Sequence, residues 1–206
     1  MTKSSRIKHW DTIYANKKIN EVSWYQVKPN ASLDLISSLN LPKDAAIIDI
    51  GAGDSYLVDN LLELGYSDIT MLDISINAIN RAKKRLGNKQ NLIKWLVTDV
   101  TSFKPERKYD LWHDRAAFHF LTNPNDIKSY IHSLNEGLKS NASFLIACFS
   151  QNGPLKCSGI EIKQYSKQEL EKVFGKSFLL IDSKYMDHHT PFNTIQNFTF
   201  CSFVKK

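Results

Sequence analysis

From residue 30 onward two hydrophobic patterns alternate along the chain. Short unbroken runs of aliphatic residues mark strands buried on both faces, and longer stretches with apolar residues three and four apart mark helices with one wet face. The strand runs are Ala46–Ile50, Ile69–Leu72, Leu92–Val97, Tyr109–His113 and Ala142–Phe149. Helical stretches fall between them: Ser55–Leu64 stopped by Gly65, Ser75–Leu86 with Gly87 beyond it, and Asn123–Leu138 opened by Asn123-Pro124. A capping box at Ser166–Glu169 opens another helix that stops at Gly175. Ile7–Tyr14 and Ala31–Leu39 predict two helices ahead of the first strand, with Trp24-Tyr25 exposed between them.

Strand alternating with helix predicts a mostly parallel sheet wound on both faces. After Gly175 the pattern changes. Phe178–Tyr185 and Gln196–Val204 both read as strands, and the polar stretch Met186–Ile195 between them has no helical period, so the two must form an antiparallel hairpin. The predicted fold is therefore α/β, a doubly wound, mostly parallel seven-stranded sheet with a terminal antiparallel hairpin. No stretch of linker composition interrupts it, so residues 1–206 are expected to form a single domain, with 1–40 a helical and aromatic lid segment.

Composition adds little to this picture. Hydrophobic residues make up 42% and charged residues 23%, ordinary for a globular chain, and the longest apolar runs are strand-sized, so no membrane partner is expected. Residues 1–9 are polar with no apolar core of a secretory signal, which makes the cytoplasm the expected compartment. The net charge of +6 is diffuse, and its densest run, Arg81–Arg85, reads as the solvated face of a helix, so nucleic acid is not the expected partner. Cys148, Cys157 and Cys201 are odd in number and lack CxxC spacing, which predicts neither a disulfide framework nor a metal site. Cys148 falls in an apolar run and Cys157 in a polar loop. His188-His189 are adjacent rather than a turn apart, the wrong spacing for a metal pair.

In an open α/β sheet, ligands bind outside the carboxyl ends of the strands. Three consecutive strand ends there carry matching chemistry. The first gives Asp49-Ile50-Gly51-Ala52-Gly53, a turn that brings bare backbone to a ligand beside a helix start. The second gives Asp73-Ile74, a carboxylate suited to a ribose diol, and the third Asp99-Val100, an acceptor for an adenine amino group next to an apolar contact for the ring. The third glycine of the dinucleotide fingerprint is replaced by Tyr56, so the ligand reads as an adenosine without a diphosphate.

Residues 46–55, 69–80, 95–103 and 109–121 resemble the four cofactor motifs of class I S-adenosylmethionine-dependent methyltransferases. The resemblance implies that Gly51, Ala52 and Gly53 line the methionine portion of S-adenosylmethionine, Asp73 and Ile74 the ribose, and Asp99 and Val100 the adenine. Asp49 would support the glycine turn or the methionine ammonium, and Trp24 would close over the cofactor or serve as core for the first helices. S-adenosylhomocysteine would be the product. Trp112–Ala117 is similar to a segment of the thiopurine methyltransferases, whereas Trp10-Asp11 with Trp24-Tyr25 resembles elements of a protein-lysine group that includes the citrate synthase enzyme. The catalytic candidates are His113, Asp114 and Arg115; Arg115 either orients the acceptor or is an ion-pair strut for Asp114. The leading acceptor is a small molecule (thiol, amine, carboxylate or metalloid), with a protein lysine as the alternative. A nicotinamide-dependent reductase and a non-catalytic cofactor-binding protein are the rival readings.

Overall fold

A computed structural model describes residues 2–206. Helices α1 (Lys3–Asn16) and α2 (Asn30–Ser38) precede β1 (Ala46–Ile50), α3 (Leu57–Glu63), β2 (Asp68–Asp73), α4 (Ile76–Leu86), β3 (Ile93–Val97), β4 (Tyr109–Arg115), α5 (Pro124–Gly137) and β5 (Leu138–Phe149). There follow the two-residue strands β6 (Lys156–Cys157) and β7 (Ile160–Glu161), then α6 (Lys167–Phe174), β8 (Phe178–His189) and β9 (Ile195–Lys205). The main sheet runs β3-β2-β1-β4-β5-β9-β8. The first five strands are parallel; β9 enters antiparallel to β5, and β8 is antiparallel to β9. Strand order reverses between β1 and β4, which opens a crevice at their carboxyl ends.

The pleat sorts side chains between two cores. Ile47, Ile69, Met71, Leu111 and Leu145 turn to one face and pack under Leu33 and Ile36 of α2, Leu57 and Leu61 of α3 and Ile79 and Ala82 of α4. Ile48, Trp112, Phe144, Ile146 and Phe203 turn to the other, under Tyr130 and Leu134 of α5 and Leu170 and Phe174 of α6. This parity matters at the site, because it sends alternate residues at each strand end to opposite sides of the sheet.

Several local expectations need correction. Trp24 and Tyr25 are half-buried rather than exposed, because the segment folds back over the sheet. β5 begins at Leu138, directly from α5, with an irregular register between Tyr109 and Leu111. The expected loop Met186–Ile195 is largely strand: β8 continues to His189, and only residues 190–194 turn, closed by the Thr190 N–H donating to the Thr194 carbonyl at 2.9 Å. Cys157 is in a short strand, not in a polar loop, and is buried. The basic run on α4 is also not simply solvated. Arg81 pairs with Asp54 at 2.9 Å and donates to the Tyr14 and Lys17 carbonyls at 3.0 and 2.7 Å, while Arg85 pairs with Asp59 at 2.7 Å. Two of its cations thus hold the N-terminal helix and the loop after β1 against α4.

Candidate functional site

At the crevice, β1 ends in a turn in which Gly51 and Gly53 adopt φ of +61° and +56°, a region L side chains rarely occupy. Space is short as well: a Cβ on Gly51 would sit 2.5 Å from the Ala117 Cβ, and one on Gly53 would strike the Tyr14 hydroxyl. The turn is braced by Asp73 at the end of β2, whose carboxylate accepts from the Gly53 N–H at 2.8 Å and the Ser75 N–H at 2.7 Å. Burial pushes the Asp73 carboxyl up to about 6, with Asp49 and Asp54 adding to the rise and the two N–H donors opposing it. Each Asp73 oxygen uses one acceptor position on the backbone and retains another, which fits a diol.

Asp99 at the end of β3 lines the same cavity but is occupied differently from expectation. One oxygen accepts from the Thr101 N–H and hydroxyl at 2.9 and 2.7 Å; the other accepts from Arg6 Nε and Nη2 at 3.1 and 2.8 Å. A carboxylate has about four lone-pair positions, so Asp99 here anchors α1 and does not offer a free acceptor. Arg6 also reaches Asp126 at 2.6 Å, and Asp11 of α1 accepts from the Ser75 hydroxyl at 2.6 Å. Helix α1 is therefore clamped across the mouth of the crevice, where Arg6, Trp10 and Tyr14 join Ile74 and Val100 in its wall.

At the end of β4 the pleat separates the three catalytic candidates. His113 and Arg115 turn into the cavity; Asp114, fully buried, turns to the opposite core. Its carboxylate accepts from the Ala117 and Phe118 N–H groups at 2.9 and 3.2 Å and from the Tyr130 hydroxyl at 2.8 Å, and burial raises it to about 6. These bonds fasten a turn in which Ala116 has φ +69°, an uncommon conformation for a residue with a Cβ. Asp114 thus positions the turn and makes no ion pair with Arg115. Arg115 donates to the Trp24 carbonyl at 3.1 Å and feels the field of Asp49; among the described residues no carboxylate bonds to its guanidinium. His113 bridges Asp49 (2.7 Å from Nδ1) and Ser32 (2.9 Å from Nε2).

The remaining wall comes from Trp24, expected either over the cofactor or in the core of the first helices, and from elements the sequence left without a role. Trp24 packs edge-on against Trp10 and Tyr14, with ring centroids 5.9 and 6.2 Å away. Phe120, Phe149, Phe198, Gln196 and Cys157 close the side nearest the terminal hairpin, and burial lifts the Cys157 thiol up to about 11. His188 bonds through Nε2 to the Ser23 carbonyl at 2.6 Å, tying that hairpin to the segment carrying Trp24. Among the described residues no group of three or more His, Cys, Asp or Glu side chains could hold a metal, and no helix is long and apolar enough to cross a membrane. Ser32 and Arg6 gave no motif signal, because they reach the site only through tertiary packing, whereas Trp10 and Asp11 of α1 lie in a segment the resemblance had already marked.

The geometry agrees with what known proteins share with the chain. A family model described as "Methyltransferase domain" matches residues 48–144. Malonyl-[acyl-carrier protein] O-methyltransferase 2 of Ilyobacter polytropus is 30% identical over 107 residues, which is 52% of this chain and 40% of that one. EEF1A lysine methyltransferase 2 of Homo sapiens is 25% identical over 193 residues, 84% of this chain and 74% of that one. In fold the chain is similar to a structure from work on the conversion of a disulfide bond into a thioacetal group during echinomycin biosynthesis, with a TM-score of 0.77, 18% identity and coverage of 97% and 93%. It is also similar to the Burkholderia thailandensis 1,6-didemethyltoxoflavin-N1-methyltransferase, whose structure holds 1,6-didemethyltoxoflavin and S-adenosylhomocysteine (TM-score 0.72, 17% identity, 99% and 87%). The fold is the Rossmann-like one of the class I methyltransferases.

Proposed function

We propose that this chain, a class I methyltransferase in fold and similar to methyltransferases in sequence across its first strands, is an enzyme that transfers the methyl group of S-adenosylmethionine to a small-molecule acceptor. The observation that carries the donor assignment is the pairing of a positive-φ glycine turn with the buried Asp73, which is fastened to that turn and keeps acceptor capacity on the cavity side. Gly51 and Ala52 admit the methionine portion, Asp73 takes the ribose hydroxyls, Ile74 and Val100 flank the adenine, and Trp24 covers the donor. When bound, S-adenosylmethionine supplies a methyl carbon made electrophilic by its sulfonium, so the protein's task is to align an acceptor lone pair and exclude water.

The small-molecule reading rests on how the acceptor side is enclosed. A lysine acceptor calls for an open, acidic groove near Trp24 and Asp114, but Asp114 is inaccessible and Trp24 is packed between Trp10 and Tyr14. Beside Trp24 the cavity carries the Arg115 guanidinium, with Asp49 the carboxylate that acts on it, and the planar guanidinium suits an anionic group on the acceptor. Tritiated S-adenosylmethionine incubated with the protein and a cell lysate, followed by size fractionation, tests this. Label is expected among small molecules; label confined to a protein band would transfer the assignment to protein methylation.

A further inference from the structure

The bonds around His113 define a direction for proton movement that methyl-donor binding does not require. Asp49 and His113 are register partners on neighbouring strands, both turned to the α2 face, and Ser32 of α2 closes the row: Asp49 to His113 Nδ1 at 2.7 Å, His113 Nε2 to Ser32 Oγ at 2.9 Å. All three are buried, and all three line the cavity. An ionised carboxylate only accepts, so Asp49 fixes a proton on Nδ1 and leaves a lone pair on Nε2. Ser32 must then donate its hydroxyl hydrogen to Nε2, which leaves the serine oxygen as the open, accepting end of the chain.

We propose that Ser32, His113 and Asp49 form a proton relay, and that the methyl acceptor is accordingly a nucleophile that arrives with its proton on, a thiol or a hydroxyl. This rests on the methyltransferase reading. As the acceptor's electron pair forms its bond to the methyl carbon, the carbon–sulfur pair stays on sulfur; the acceptor proton passes to Ser32 Oγ, and the serine proton to His113 Nε2. One positive charge is lost at the sulfonium and one appears on the imidazole beside Asp49, so the buried site keeps its net charge. The groups facing this row are Arg115 on β4, Asp73 on β2, which acts on Asp49, and Tyr14 on α1, which acts on Arg115; Asp114, next to His113 on β4 but turned to the opposite face, acts on it through the sheet. A thiol or hydroxyl calls for such a base, whereas a carboxylate arrives ionised and an amine attacks through its free lone pair.

Two measurements test the relay. Nitrogen-15 NMR of histidine-labelled protein should show His113 protonated at Nδ1 with a free lone pair on Nε2, and Ser32→Ala should shift the Nε2 resonance while S-adenosylhomocysteine affinity stays within about threefold. Methyl incorporation into the small-molecule fraction should fall about 100-fold in Ser32→Ala and in His113→Gln. An Nε2-protonated tautomer, or unchanged incorporation in both variants, would overturn the relay while leaving donor binding intact. Failure of S-adenosylhomocysteine to bind the folded protein would instead remove the methyltransferase reading and the relay with it.

Discussion

At the scale of single residues, Asp73 is proposed to bind the donor and Arg115 to serve the chemistry. Asp73 must be ionised to accept both ribose hydroxyls, and its carboxyl is pushed up to about 6, so S-adenosylhomocysteine affinity is expected to fall as pH drops through that range. Calorimetry from pH 7.5 to 5 checks this, with Asp73→Asn weak and less pH-dependent throughout. Arg115→Ala should lower methyl incorporation into the small-molecule fraction about 100-fold. S-adenosylhomocysteine affinity and melting temperature should change little, because no carboxylate depends on that guanidinium. Parallel loss of stability and affinity would mean that Arg115 is a strut. Asp49, Gly51, Gly53, Asp73 and Asp99 were legible in the sequence because strand ends in this topology are predictable. The occupied state of Asp99 was not, since its partner Arg6 lies 93 residues away in the chain.

At the scale of elements, the turn after β4 and the helix α1 each depend on a buried carboxylate, Asp114 and Asp99. Asp114 satisfies two N–H groups and the Tyr130 hydroxyl in a fully buried position. Asp114→Ala should therefore cost about 2–4 kcal/mol in denaturant unfolding, and Asp114→Asn distinctly less. The sign of the pH effect follows from a carboxyl raised to about 6 in the fold against about 3.9 unfolded. Its contribution is fully present below the unfolded value and is lost as pH rises through 6, so the stability difference between wild type and Asp114→Asn should shrink over that window. For α1, Arg6→Ala leaves Asp99 buried without its cation. Hydrogen exchange should quicken through residues 3–16 while β1 and β4 stay protected; unchanged exchange in α1 would show that Asp11 and Arg81 suffice to hold it. Hydrophobic periodicity and capping signals located all six helices and all seven strands of the main sheet. They missed β6 and β7, which are too short to carry a period, and they misread the polar residues of Met186–His189 as loop because β8 is an edge strand exposed to water.

At the scale of the whole molecule, the sheet's reversal between β1 and β4 brings the ends of β1, β2 and β3, the proposed donor side, against those of β4, β5 and the terminal hairpin, the proposed acceptor side. The two sides share one cavity roofed by α1 and the Trp24 segment. If the donor side holds S-adenosylmethionine, calorimetric titration of S-adenosylhomocysteine into the folded protein should show saturable one-to-one binding, weakened about 30- to 150-fold by Asp73→Ala through loss of about 2–3 kcal/mol, with no comparable binding of a nicotinamide dinucleotide. No binding to folded protein, or binding indifferent to Asp73→Ala, would contradict that assignment.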